Sequence, residues 1–291
     1  MDSSNKIFLA KTFIVSIYPI QSSIGLITNI IAFVIFSRII FKKTIFSTYF
    51  RFLIIFDMIS SIIPINKFFE FNFNTYLKDF NDSLCKFRMF TFYVIFPISG
   101  WTLVVISFDR YLSIKFPKRF SIRKKTKFQI LVCIFILVLN LIYYTPNLFF
   151  HLKQNNISMN QSIITYKCNN PGIPLEWMNI FESTIVPFLL MFLFTSFAIR
   201  TLNKIRKNSI IYSESARKKD IKFALTSVFL NILFFVINFP LGIYTISNMY
   251  FNYIFSVDLH KLISSLVYLF AYFNSMSVFF INIIVNRMFR K

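Results

Sequence analysis

The sequence predicts an all-α membrane protein, a bundle of seven transmembrane helices forming one domain over residues 1–291. Three observations carry this. Seven apolar stretches each reach the roughly 20 residues needed to cross a bilayer. Lys and Arg collect in alternate connections between them. The composition, 56% hydrophobic and 15% charged with a mean hydropathy of +0.63, is far more apolar than that of a soluble domain.

The stretches follow in order: Phe13–Ile40, Phe46–Ile65, Leu84–Ile114, Phe128–Phe150, Met178–Leu202, Ile221–Met249 and Lys261–Val285. Several exceed the minimum, which implies tilt or extension beyond the hydrocarbon. Met1–Thr12 lacks the pattern of a cleavable signal, so span one is expected to direct its own insertion. Of the 32 basic residues, 23 lie in or beside the connections after spans one, three and five and in the C-terminal tail; nine lie on the other side. The basic side is expected to be cytoplasmic. That puts the N-terminus outside and the C-terminus inside, and it turns the net charge of +21 toward anionic lipid.

The same grouping removes nucleic acid as a partner, because the basic residues form no single patch. Four glycines argue against phosphate-binding loops. The two histidines, His151 and His260, have no metal or catalytic spacing, so no enzyme and no cofactor are expected. Asn81, Asn156 and Asn160 each head an Asn-x-Ser triplet and are candidate glycosylation sites in connections expected outside. Cys85 and Cys168 fall on that oxidising side, while Cys133 sits within span four as a small apolar residue.

Asp109-Arg110-Tyr111 ends span three, 25 residues from Cys85 to Arg110. An acid and an arginine at a membrane edge need a role or a partner. Seven spans, Cys85 at one end of the third, Cys168 in the next connection on that side, and Asp-Arg-Tyr at the other end together resemble the rhodopsin-like (class A) G-protein-coupled receptors. Asn29 after Gly25, Asp57, Pro187, Pro240 and Asn274-Ser275 match further positions of that family. Span four lacks the family's usual tryptophan. Asn238 stands at a position often tryptophan, Thr195 at one usually tyrosine, and Val278-Phe279-Phe280-Ile281-Asn282 replaces Asn-Pro-x-x-Tyr.

The resemblance implies a multi-pass receptor of the plasma membrane, with an extracellular ligand and a heterotrimeric G protein as partners. It implies a Cys85–Cys168 disulfide. It implies a clamp between Arg110 and Asp220, with Asp109 and Tyr111 beside it; Lys218, Lys219 and Lys222 compete for the same acid. It also implies a sodium-type pocket of Asn29, Asp57, Ser99, Asn274 and Ser275; a protonated or water-bridged Asp57 is the alternative. The ligand pocket is expected at Phe92, Tyr93, Phe96, Tyr244, Tyr268 and Tyr272, with Arg88 for an anionic and Glu182 for a cationic ligand group. Phe92 in place of an acid argues against an amine ligand, and Tyr272 in place of a lysine argues against a retinal Schiff base. The connection Leu152–Trp177 is long and polar, which favours a neuropeptide. An orphan chemosensory receptor of the same fold is the second reading. A seven-span ligand-gated channel or transporter is the third; it would require repeats, broken helices or several midplane acids.

Overall fold

The computed structural model describes residues 3–38, 47–73, 81–116, 125–149, 151–156, 164–169, 175–208, 214–251 and 257–285, with the side chains of 151–176 and 205–227 among those outside the description. Within it, seven helices are long and apolar enough to cross a membrane. They are α1 (Ser3–Ser37), α2 (Ser47–Phe73), α3 (Asp82–Lys115), α4 (Thr126–Tyr143), α5, α6 (Glu214–Phe251) and α7 (Val257–Val285). The fifth, α5, joins a helical turn Leu175–Ile180, a π-helical turn Phe181–Ile185 and the helix Val186–Asn208. All seven expected spans are present.

Local chemistry sets several boundaries. Asn81 caps α3: its side chain accepts the Leu84 amide at 2.7 Å, which satisfies one of the free donors of the first turn. Asp82 in that turn pairs with Lys86 at 2.6 Å. Pro19, Pro64, Pro97 and Pro240 lie inside α1, α2, α3 and α6. Each removes a backbone hydrogen bond, a loss membrane helices tolerate when neighbours pack closely. Between α4 and α5 the chain forms a 3-10 turn Thr145–Phe149 and a small antiparallel hairpin, β1 (His151–Asn156) with β2 (Ile164–Asn169), in which Leu152 faces Cys168. The hairpin adds a feature that the apolar pattern did not announce. β1 lies against α3.

The helices form a closed ring of neighbours, α1 beside α2 and α7, α6 beside α5 and α7, with α3 touching α2, α4, α5 and α6. One core takes residues from every helix: Ala32 and Phe36, Leu53 and Ile54, Leu103 and Ile106, Cys133, Met191, Leu230 and Phe234, Val278 and Ile281. The polarity runs opposite to a soluble protein. Ile20, Ile27, Val34, Leu131, Phe135, Ile142, Phe192 and Phe270 are exposed, whereas Asn29, Asp57, Ser99, Asn231, Asn238 and Asn282 are buried. Apolar residues outside and polar ones inside is the arrangement a bilayer selects.

Candidate functional site: two polar clusters and a cavity along one helix

The first cluster joins α1, α2, α3 and α7. The Asp57 carboxylate is buried, and Ser99 donates to its Oδ1 at 2.7 Å. Asn29 donates to the Ser275 carbonyl at 2.9 Å and, more loosely, to Ser61 Oγ at 3.4 Å. Ser61 Oγ donates to the Asp57 carbonyl at 2.7 Å and lies 3.2 Å from Ser275 Oγ. Asn274 is buried as well. Four of the five expected pocket residues are thus linked, and the fifth, Asn274, precedes Ser275 in the chain. Sequence reasoning missed Ser61, although a serine one turn from a buried aspartate is a usable signal. Gly25 has a steric reason: a Cβ there would sit 2.7 Å from Ser61 Oγ. Asp57 Oδ2 and Asn29 Oδ1 are buried and accept no hydrogen bond among the described residues. Unmet oxygens of this kind, beside serine hydroxyls, suit a hard cation.

The second cluster lies one helical turn along α3 from Arg110. The Asn231 amide of α6 donates to Thr195 Oγ1 of α5 at 2.7 Å, and reaches Ser107 Oγ of α3 at 3.4 Å and the Met191 carbonyl at 3.5 Å. It ties three helices at a buried point. Asp109 and Arg110 are buried at the end of α3. Tyr111 turns toward α5, its ring 5.7 Å from Phe197, and takes a hydrogen bond from Lys115 at 2.6 Å. Asp220 falls in α6 with its side chain outside the described residues, so the Arg110–Asp220 clamp stays an expectation.

The two clusters are flanked by a close approach. Gly100 of α3 meets the Phe234 ring of α6: a Cβ there would lie 2.9 Å from Phe234 Cζ and 3.4 Å from Pro187 Cβ. Asn238 and Asn282, which stand at departures from the family pattern, turn their amides onto the carbonyls of Phe234 and Val278 at 2.8 and 2.7 Å. Both bonds stay within their own helices.

At the Cys85 end, a cavity of about 130 Å³ opens among α3, α5, α6 and α7, walled by Phe92, Tyr93, Phe96, Pro97, Ile180, Ser183, Thr184, Leu241, Gly242, Tyr244, Thr245 and Tyr268. Five of the eight expected pocket residues line it: Phe92, Tyr93, Phe96, Tyr244 and Tyr268. Three do not. Tyr272 is buried against α1, edge-on to Tyr18 at 6.1 Å. Arg88 is half-buried on α3, nearer Cys85. Glu182 faces α3 and α4, where Trp101 Nε1 donates to its Oε1 at 2.7 Å and the Tyr144 hydroxyl donates to its Oε2. The physical reason is the π-helical turn Phe181–Ile185, whose wider winding rotates Glu182 out of the register an α-helix would give. The cavity hydroxyls of Ser183, Thr184 and Thr245 carried no motif and were missed.

Cys85 is fully buried, and Cys133 is free. The side chain of Cys168 lies outside the described residues, as do those of Asn156 and Asn160; Asn81 is exposed. Among the described residues no group of His, Cys, Asp and Glu has metal-binding geometry. The family model described as 7 transmembrane receptor (rhodopsin family) matches residues 28–277. No curated protein matches the chain.

Proposed function

The chain belongs to the rhodopsin family of seven-transmembrane receptors, and from that premise we propose that it is a plasma-membrane receptor for an extracellular, neuropeptide-like ligand, signalling to a heterotrimeric G protein by separation of α3 and α6. The carrying observation is that one helix serves both ends. α3 supplies Phe92, Tyr93 and Phe96 to the cavity and finishes in buried Asp109-Arg110. The 25 residues from Cys85 to Arg110 span about 38 Å at 1.5 Å per residue, more than the roughly 30 Å of hydrocarbon. The Cys85 and Arg110 ends of α3 therefore face opposite sides of a bilayer, with the cavity in the half nearer Cys85. The basic-residue count supports the Cys85 end as the outer one, and tagging each terminus in unpermeabilised cells tests it.

The mechanism follows the helices. A ligand pressing on Leu241–Thr245 of α6 acts beside Pro240, where the helix lacks a backbone hydrogen bond and bends most readily. On the far side of Pro240 lie Phe234 against Gly100 and Asn231 against Thr195 and Ser107. Breaking those contacts lets α6 leave α3 and uncovers Arg110 to a G protein, a shift between two packings. An Arg110–Asp220 pair would add to the closed state. A sodium ion held by Asp57 and Ser99, with Asn29 and Ser275 near, would neutralise the buried carboxylate and tie α2 to α3. A Cys85–Cys168 bond would fix β2 over the cavity mouth.

A peptide-library screen with a promiscuous G-protein reporter tests the proposal. A response lost in Arg110→Ala at equal surface expression supports it. A ligand-evoked ion current without G protein overturns it.

A further inference from the structure

We propose that the cavity takes an uncharged, single-ring aromatic group with a hydrogen-bond donor on its edge, such as a phenol, as the buried end of the ligand. This deepens the receptor reading and rests on it for the word ligand, but the binding chemistry stands on the cavity alone.

Size sets the first limit. The space is about 130 Å³, close to the roughly 150 Å³ of an apolar cavity that holds one benzene. It accepts one ring and excludes the body of a peptide. The walls set the second. Phe92 lies 6.0 Å from Phe96 at 21° and 5.5 Å from Tyr93 at 76°, and Tyr244 lies 6.5 Å from Tyr268 at 70°. These rings present both faces and edges, the two surfaces an inserted ring uses in offset and edge-to-face contacts.

Hydrogen-bond accounting sets the third. Thr245 Oγ1 spends its proton on the Leu241 carbonyl at 2.8 Å. A hydroxyl has one donor and two acceptor sites, so Thr245 offers the cavity acceptors. Its complement at that point of the wall is a ligand N–H or O–H; Ser183 and Thr184, 3.3 Å apart, are engaged with each other, either able to donate. Tyr244 is engaged with His260 at 3.1 Å, which holds its ring in the wall.

Charge sets the fourth. Among the described residues, no Asp, Glu, Lys or Arg lines the cavity. The nearest acid in sequence, Glu182, points elsewhere and is held by Trp101 and Tyr144. A ligand ammonium would enter a site without a counter-ion, inside a chain of net charge +21, and a carboxylate would find no cation. Both lose their hydration uncompensated. Aromatic faces do attract cations, so an ammonium probe belongs in the test.

The experiment uses the full chain in lipid nanodiscs and ligand-observed NMR with three probes of similar size: 4-methylphenol, toluene and benzylammonium. Gly242→Leu fills the cavity; a Cβ there has Ile180 Cγ2 as its nearest neighbour at 4.0 Å, so the backbone accommodates the change. Comparison with this variant subtracts partition into lipid. Thr245→Val removes the acceptor and keeps the shape. A melting curve confirms that each variant is folded. We expect 4-methylphenol to bind at least tenfold more tightly than benzylammonium. Gly242→Leu should abolish that binding. Thr245→Val should weaken it about fivefold, the size of one hydrogen bond, and leave toluene unchanged. Tighter binding of benzylammonium, or equal binding of 4-methylphenol to the parent and Gly242→Leu, overturns the proposal. Nucleotide exchange on a G protein, measured in the same nanodiscs, separates the two readings. Exchange without phenol binding sinks the ring proposal alone; phenol binding without exchange sinks the receptor reading alone.

Discussion

Asn231→Ala tests the link between packing and signalling most sharply. The side chain is buried, with one short bond to Thr195 at 2.7 Å and two contacts at 3.4 and 3.5 Å. Its Oδ1 accepts no hydrogen bond among the described residues, so deleting that atom costs nothing on the acceptor side. The loss therefore rests on the amide. Polar contacts between membrane helices average about 0.6 kcal/mol and reach about 1.7. One short bond with two weak ones places this tie near 1 kcal/mol, or about a fivefold change in a two-state ratio. If the tie exists only in the closed packing, ligand-free nucleotide exchange should rise about fivefold per receptor at the surface. Thr195→Val should do the same. The double variant should add little, because the second change removes a bond already lost, giving a coupling of about 0.5–1 kcal/mol in the cycle. Unchanged basal exchange in a properly folded Asn231→Ala, or strict additivity in the cycle, would show that this tie does not hold the closed packing.

Three further outcomes are expected. Asp57→Asn should remove any dependence of agonist affinity on sodium while leaving other salts without effect; retained sodium dependence would place the ion elsewhere. Gly100→Ala should lower the melting temperature by several degrees, since its Cβ would approach Phe234 Cζ to 2.9 Å and overpacking costs about 1–3 kcal/mol; Phe234→Leu in the same chain should restore most of it. Non-reducing peptide mapping should recover a Cys85–Cys168 pair, and Cys85→Ser should destabilise the chain by up to about 4 kcal/mol on the loop-entropy account; a Cys133-containing bridge would contradict this.

The spans were legible because apolar length is a direct requirement of hydrocarbon, and seven membrane-length helices formed; span four, expected over Phe128–Phe150, ends as an α-helix at Tyr143, and Thr145–Phe149 is a 3-10 turn. The Asp57 cluster was legible through matched family positions. Ser61, which completes it, was hidden because a serine in an apolar helix reads as neutral until its neighbours are known. Thr195 was read as an absent tyrosine. The structure gives it a partner, Asn231, and an asparagine within Leu230-Asn231-Ile232 was signal enough to look for one. Glu182 and Tyr272 were placed at the cavity by their positions in spans five and seven of the family pattern. A π-helical turn moved the first. The second packs against Tyr18 of α1, a neighbour far away in sequence that periodicity cannot announce. The hairpin was illegible for a different reason: its polar strands lie in a connection, where no apolar alternation marks them.

Nucleotide exchange on a purified heterotrimeric G protein, with the purified chain in nanodiscs, decides whether the chain signals as proposed. Exchange is expected above the receptor-free rate, raised in Asn231→Ala and lost in Arg110→Ala. Exchange at the receptor-free rate in all three, with the protein folded and a ligand-evoked current in proteoliposomes, would contradict the proposal.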